Sequence, residues 1–295
     1  MMSPLNDPRT LFPTVDPPEQ TQPEPGLDRN LQPPADLGMD SYVGHERLVG
    51  RRALITGGDS GIGAAAAIAY AREGADVAIA YLPEEQPDAD VILKAIGDAG
   101  RRGIGIPVDL STLEGCRKVV ADTVEALGGL DILVNNASRQ IWHDGIENLP
   151  DEDFDLTMRT NVYAAYRVTK EALPHLQPGS SIIFTSSVQA YDPSETLIDY
   201  GITKAAMNHL SKSLAMELTP KGIRVNAVAP GPFWTPLQPS HGQPMEKVTS
   251  FGQASPLGRA GHPAELAGAY VYLASDEASY TSGSTLSVTG GRPTP

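Results

Sequence analysis

From Arg51 onward the apolar positions come in short β-branched runs, and longer stretches with helical spacing separate them. The runs lie at 53–56, 77–81, 104–108, 132–134, 181–185, 224–228 and 285–288. Most read apolar throughout, as strands covered on both faces do. Helical patterns fall near 61–73, 88–99, 111–127, 151–176, 199–218 and 263–274. Strand and helix in turn predict βαβ units with right-handed crossovers. That gives an α/β chain with a seven-stranded, mostly parallel, doubly wound sheet and helices on both faces. No internal repeat is present, and no proline-glycine linker interrupts the chain between about 50 and 290. The pattern therefore predicts one domain over residues 46–295.

The first 45 residues have a different texture. Nine of the 26 prolines fall here: Pro4, Pro8, Pro13, Pro17, Pro18, Pro23, Pro25, Pro33 and Pro34. Proline removes donors and blocks helices and central strands, so an extended segment is expected. It is a disordered tail, an arm lying on its own subunit or a neighbour, or a proline-rich ligand for a separate domain. Leu5, Leu11, Phe12, Leu27 and Leu31 are the candidate anchors of an arm.

Composition narrows the classes. With 40% hydrophobic and 20% charged residues, the 295-residue chain has material for a core, which excludes wholesale disorder. A net charge of −14 argues against nucleic acid and anionic membranes as partners. Cys116, the single cysteine, excludes an internal disulfide and a Cys-based zinc site; it reads as a small buried hydrophobe. The six histidines (45, 143, 175, 209, 241 and 262) show no metal spacing, so no metal is assigned. No apolar run is long enough to span a membrane, and the opening MMSPLNDPRTLFP lacks a signal-peptide layout. A soluble, reduced, cytoplasmic protein is expected.

The first strand runs into Gly57-Gly58-Asp59-Ser60-Gly61-Ile62-Gly63, and an alanine-rich helix follows, with Gly74 as its stop. Glycines there allow a tight turn and close backbone approach, and amides at a helix N-terminus face a pyrophosphate. Strand, glycine turn and helix are the context a dinucleotide site needs.

A tyrosine four residues before a lysine puts both side chains on one helical face. Chance predicts roughly a quarter of such a match, and this chain has two, Tyr166/Lys170 and Tyr200/Lys204. Only Tyr200 follows a buried strand that ends in serines, with Ser187 thirteen residues before it. Tyr166 has Asp153 at that offset and no strand end. A phenol is a poor base near neutral pH, but a nearby ammonium stabilises the phenolate. Tyr200 can then exchange a proton with an alcohol or carbonyl oxygen, and Ser187 can hydrogen-bond that oxygen. Ser186 is the neighbouring alternative to Ser187.

The spacing Thr56-Gly57-x-x-x-Gly61-Ile62-Gly63 with Tyr200/Lys204 resembles the short-chain dehydrogenase/reductase family, over nearly everything after the first 45 residues. Asn135-Asn136-Ala137 is similar to the family's Asn-Asn-Ala-Gly signature, with Ser138 in the fourth place. Asn161 matches its helix asparagine, implied to support the lysine through a water and to complete a Ser187–Tyr200–Lys204 set. Asp109, before Leu110, matches an adenine contact, or else serves as a helix cap, with Ser111 another cap candidate. Pro230-Gly231 with Phe233 and Thr235 matches the loop over the nicotinamide amide. Gly57-Gly-Asp-Ser-Gly-Ile-Gly63, Gln189-Ala-Tyr191 and Trp234-Thr-Pro-Leu237 resemble the glucose/ribitol-dehydrogenase-like or general-stress oxidoreductase branch.

The resemblance implies a Rossmann-type domain with NAD or NADP as cofactor. The implied cofactor residues are Gly57, Asp59, Ser60, Gly61, Ile62, Gly63, Tyr81, Asp109, Leu110, Asn136, Ala137, Ser138, Tyr200, Lys204, Pro230, Gly231, Phe233 and Thr235. It implies a small-molecule alcohol or carbonyl substrate (aldehyde, ketone, sugar or polyol) and a homo-oligomer, typically a tetramer. No cation stands from 81 to 87, and Asp59, Glu84 and Glu85 would repel a 2′-phosphate, which leans the choice to NAD. Tyr81 can serve either cofactor. Segments 138–146, 188–196 and 232–256 should ring the substrate, with Arg139, Gln140, Trp142, Gln189, Tyr191 and Trp234 as candidates for lining. A nicotinamide-binding sensor or scaffold with a vestigial site is the alternative function. An epimerase or dehydratase would keep the fold and change the reaction.

Overall fold

The computed structural model describes residues 5–294; residues 1–4, with Pro4, and Pro295 lie outside it. The elements are β1 (Arg52–Thr56), α1 (Gly61–Arg72), β2 (Asp76–Tyr81), α2 (Gln86–Asp98), β3 (Gly103–Pro107), α3 (Leu113–Leu127), β4 (Ile132–Asn135), α4 (Asp151–Met158) and α5 (Ala164–Ala172). They continue with β5 (Ser181–Thr185), α6 (Ile198–Leu218), β6 (Arg224–Pro230), α7 (Met245–Val248), α8 (Pro263–Ala274) and β7 (Thr285–Val288). The strands form one sheet in the order β3-β2-β1-β4-β5-β6-β7, and every ladder is parallel.

Two cores flank the sheet. One packs α1, α2 and α8 on one face; the other packs α3, α5 and α6 on the opposite face. The alanines of α1 let it sit almost wholly buried between α8 and the strands, and Gly74 ends it with φ +99 in the left-handed region. Cys116 is buried, and burial pushes its thiol up to about 11, the state of an inert thiol.

The helical pattern at 151–176 is broken in the structure. α4 runs into a wide five-residue π turn, Arg159–Tyr163, before α5 begins. The wide turn adds a residue that a 3.6-residue period cannot register. It carries Asn161 inward, where it is buried.

The proline-rich segment lies along the body of its own chain, largely extended, with turns at 8–10 and 39–41 and a 3-10 turn at Asp28–Asn30. Val15 and Leu31 pack in a third cluster with Trp234, Val248 and Ala260. The Trp234 indole N–H donates to the Pro33 carbonyl at 2.8 Å. Both ring nitrogens of His262 are used: Nδ1 accepts from the Asp36 amide at 3.0 Å, so Nε2 donates to the Pro13 carbonyl at 2.9 Å. Arg259 holds the Pro8 carbonyl at 2.7 Å while paired with Glu265. Of the apolar anchors expected, Leu31 is buried and Phe12 stacks on His262, whereas Leu5 and Leu11 are exposed.

The end of the segment is tied to α1 through Glu73, whose carboxylate is wholly buried. It accepts from the Tyr42 hydroxyl at 2.6 Å, from the amides of His45 and Arg47, and from the Arg47 guanidinium. Burial alone would raise its pKa; the hydrogen bonds outweigh burial and hold it at about 2. No helix among the described residues is long and apolar enough to cross a membrane, and none of their His, Cys, Asp or Glu residues cluster to hold a metal ion.

Candidate active site

A cleft of about 840 Å³ opens at the C-terminal ends of the strands, beside β1 and β4, where the strand order changes direction. That switch point is where open α/β sheets bind ligands. Of the residues implied for the cofactor, Gly57, Asp59, Ser60, Gly61, Ile62, Tyr81, Asp109, Leu110, Asn136, Ala137, Ser138, Tyr200, Lys204, Pro230, Gly231, Phe233 and Thr235 line it. Gly63 does not. It lies beneath the turn, where a Cβ would come within 1.8 Å of the Gly57 carbonyl oxygen. Its place is a packing requirement: only a residue without a side chain lets α1 start this close to β1.

The turn is locked to β4 and β5. The Thr56 hydroxyl accepts from the amides of Asn136 at 2.9 Å and Ala137 at 3.0 Å. The Asn136 side chain donates to the carbonyls of Thr56 and Gly57 and accepts from Thr185 Oγ1, which also meets the Tyr270 hydroxyl at 2.7 Å. Ser138, where the family signature has glycine, places an unpartnered buried hydroxyl in the cleft wall.

Tyr200 and Lys204 share one face of α6, with Nζ 5.2 Å from the centre of the phenol ring. Lys204 Nζ donates to the Thr185 carbonyl at 2.9 Å at the end of β5. The two serines after β5 divide their work. Ser186 Oγ donates to the Lys204 carbonyl at 3.0 Å, so its hydroxyl is committed to the scaffold. Ser187 is the side chain whose hydrogen bonding favours the Tyr200 phenolate. Burial nevertheless dominates both charges: it pushes the Tyr200 phenol up to about 12 and the Lys204 ammonium down to about 7. An ammonium-lowered phenol was the expectation; in the protein alone, desolvation of this closed corner outweighs that attraction.

Asn161 does not touch Lys204. Its side chain accepts from the Arg139 amide at 2.7 Å and donates to the Arg139 carbonyl and to Thr203 Oγ1. Between Asn161 and Lys204 lies a cavity of about 10 Å³, near the room that one water needs. Tyr166 is half exposed on the surface of α5, as its lack of a strand end predicts. Asp109 lines the cleft and accepts from the amide and hydroxyl of Ser111. The cap of α3 is Thr112, which accepts from the Gly115 amide; neither Asp109 nor Ser111 takes that role.

The far end of the cleft is acidic. Burial, with the charge of Glu85, raises the Asp59 carboxyl well above its ordinary value, and its Oδ2 is buried without a partner. Burial also pushes Glu85 up to about 7 while its carboxylate accepts from the Leu82 amide. The Tyr81 hydroxyl donates to Gln86 on α2.

On the substrate side Arg139, Gln140 and Gln189 line the cleft, as do Gln238, Ser240 and Gln243. Trp142, Tyr191 and Trp234 do not: the Trp234 ring is consumed in anchoring the N-terminal segment. Glu24, Pro25 and Gly26 of that segment line the cleft, which no periodicity in the sequence signalled. The only local sign was the turn-forming Pro25-Gly26 pair.

A doubly wound sheet whose first glycine turn opens on a cleft shared with a buried tyrosine–lysine pair defines a dinucleotide-binding α/β oxidoreductase. A family model described as enoyl-(acyl carrier protein) reductase matches residues 57–292. The chain is 52% identical over 290 residues to the uncharacterized oxidoreductase YghA of Escherichia coli, covering 98% of this chain and 99% of that one. It is 40% identical over 280 residues to the glucose and ribitol dehydrogenase of Daucus carota, covering 93% and 96%. A short-chain dehydrogenase of Burkholderia cenocepacia, solved with NADP, superposes with a TM-score of 0.76 at 34% identity over 83% of this chain and 98% of its own. A 3-ketoacyl-(acyl-carrier-protein) reductase of Brucella melitensis, solved with NADH, gives 0.75 at 32% over 83% and 99%. The protein belongs to the short-chain dehydrogenase/reductase family, and its class is that of the NAD(P)-dependent oxidoreductases.

Proposed function

We propose that the protein interconverts an alcohol and a carbonyl compound, with Tyr200 as the proton donor and acceptor and NAD as the preferred cofactor. The observation that carries this reading is the meeting of Tyr200, Lys204 and Ser187 at the end of β5, inside the cleft. The residues present fit a dinucleotide: the amides at the start of α1 suit a pyrophosphate, and the orphaned Asp59 Oδ2 suits a ribose hydroxyl. Bound nicotinamide supplies or removes hydride. Tyr200 moves the proton at the substrate oxygen, and Ser187 donates a hydrogen bond to that oxygen. Lys204 holds the nicotinamide ribose and the charge beside the phenol. Asn161 fixes the Arg139 backbone at the substrate wall and bounds the small cavity beside Lys204.

Asp59 and Glu85 line the ribose end and no cation stands from 81 to 87, so the uncharged 2′-hydroxyl of NAD is favoured over the phosphate of NADP, which would find no positive partner there. Gln140, Gln189, Gln238 and Gln243 in the wall favour a hydroxylated substrate such as a sugar, a polyol or their aldehydes. A panel of aldehydes, ketones, sugars and polyols, read by the absorbance of reduced nicotinamide, is expected to show turnover, strongest on hydroxylated compounds and with NADH. Cofactor binding with no turnover across the panel would favour a sensor or scaffold.

We also infer a homo-oligomer. Tyr163 and Tyr166 at α5, Ile202 and Met216 on α6, and Tyr280 before β7 stay exposed, an apolar set that a second copy would cover. Light scattering at micromolar concentration is expected to give a mass well above 31.2 kDa; a monomer mass refutes it.

A further inference from the structure

The proline-rich segment crosses the cleft from bank to bank. On the substrate bank the Gln22 amide donates to the Pro239 carbonyl at 2.9 Å, and the Glu24 carboxylate pairs with Arg139 at 3.1 Å. Gly26 sits so close to the loop that a Cβ would lie 2.8 Å from the Pro236 carbonyl oxygen and 2.9 Å from Ser240. On the other bank Asp28 Oδ2 accepts from the Gly61 amide at 2.7 Å, at the N-terminus of α1. The Asp28 amide donates to Asp88 on α2 at 2.6 Å, and Arg29 pairs with the same carboxylate at 3.3 Å from the exposed side.

This brings a carboxylate from outside the catalytic domain to the turn that faces the dinucleotide. Asp28 takes one of the free donors of α1, and the Ser60 side chain makes no cap there. Asp59 stands next to it, 1% exposed, lining the cleft, its Oδ2 without a partner and needing a donor such as a ribose hydroxyl. A phosphate brings no donor and two negative charges. Burial pushes the Asp28 carboxyl up to about 7 against the pull of the Gly61 amide, and the neighbouring Asp88 and Asp59 add to the rise.

We propose that the N-terminal segment is a strap across the dinucleotide cleft and that it contributes Asp28 as a specificity-determining residue, turning the adenosine-ribose corner against a 2′-phosphate. The inference rests on the proposed nicotinamide cofactor and deepens it. Because the strap spans both banks, the adenosine end is enclosed beside the acids and cannot swing away from them. Asp28 acts through the field at the Gly61 turn, so its mark is a change in cofactor preference; a merely structural role would weaken both cofactors alike.

The test is equilibrium binding of NADH and NADPH to the full-length protein, followed by nicotinamide fluorescence, together with kcat/KM for each. At about pH 8.5, where the Asp28 carboxyl is ionised, Asp28→Asn is expected to improve the NADPH to NADH preference about tenfold, the scale of one charge removed at close range, with NADH binding held within about twofold. An unmoved ratio overturns the proposal. Gly26→Val, which must displace the strap, is expected to loosen NADH and shift the ratio in the same direction. Wild-type dissociation constants in that variant also overturn it. A wild type that prefers NADPH sinks the cofactor reading above, while the shift on Asp28→Asn still decides the role of Asp28.

Discussion

Tyr200→Phe is expected to lower kcat by roughly 10²- to 10⁴-fold, the usual contribution of a positioned proton donor. The dissociation constant for NADH should stay within about twofold. The substitution removes one oxygen from a side chain that is 7% exposed and leaves the ring where it packs on α6. Lys204 keeps its bond to the Thr185 carbonyl, so the cofactor face of the site is retained. No other phenol can take over: the Tyr270 hydroxyl is engaged by Thr185, and Tyr81 is turned onto Gln86. Lys204→Met should behave differently and weaken both turnover and NADH binding, because that ammonium serves two partners. Fluorescence titration and steady-state kinetics on the same preparations separate the two effects. A Tyr200→Phe enzyme with near-normal kcat would remove the phenol from the chemistry altogether.

The second large effect concerns stability. Glu73→Gln is expected to cost about 3 kcal/mol, since it leaves the Arg47 guanidinium facing a neutral amide in a buried pocket. The charge state gives an independent check. In the folded chain the Glu73 carboxyl titrates at about 2 against an ordinary 4.5. Its stabilisation is therefore whole above pH 4.5 and is lost as the pH falls from there toward 2, about 3 kcal/mol in all. Denaturant melts of the wild type should show that acid limb, and in Glu73→Gln the limb should flatten while stability at neutral pH drops. Equal slopes in the two proteins between pH 4.5 and 3 would show that the carboxylate is not held as described.

Local signals reached far into this molecule. All seven strands lie within two residues of where the apolar runs put them, because buried parallel strands are written in consecutive residues. The choice of Tyr200 over Tyr166 needed only the strand end before it, and the structure separates them as buried and half exposed. What stayed hidden depends on distant partners. The π turn at Arg159–Tyr163 has no composition of its own. Trp234 has the chemistry of a pocket residue, and only its contact with Pro33, 201 positions away, shows otherwise. Glu24 and Asp28 look like solvated acids in a proline-rich tail. Their roles follow from Arg139 and the Gly61 amide, neither of which is near them in the chain.

The anchors of the strap also set an order of events during synthesis. The segment precedes the sheet in the chain, yet Trp234, Arg259 and His262, which receive it, come more than two hundred residues later. These anchors can form only after β6 has been made, whereas the partners at Gly61, Glu73 and Asp88 come early in the chain. A stretch rich in proline and poor in strand-forming runs is suited to waiting, because it offers growing strand edges little to pair with. The cleft is thus bridged by a part of the chain whose last partners are made long after it.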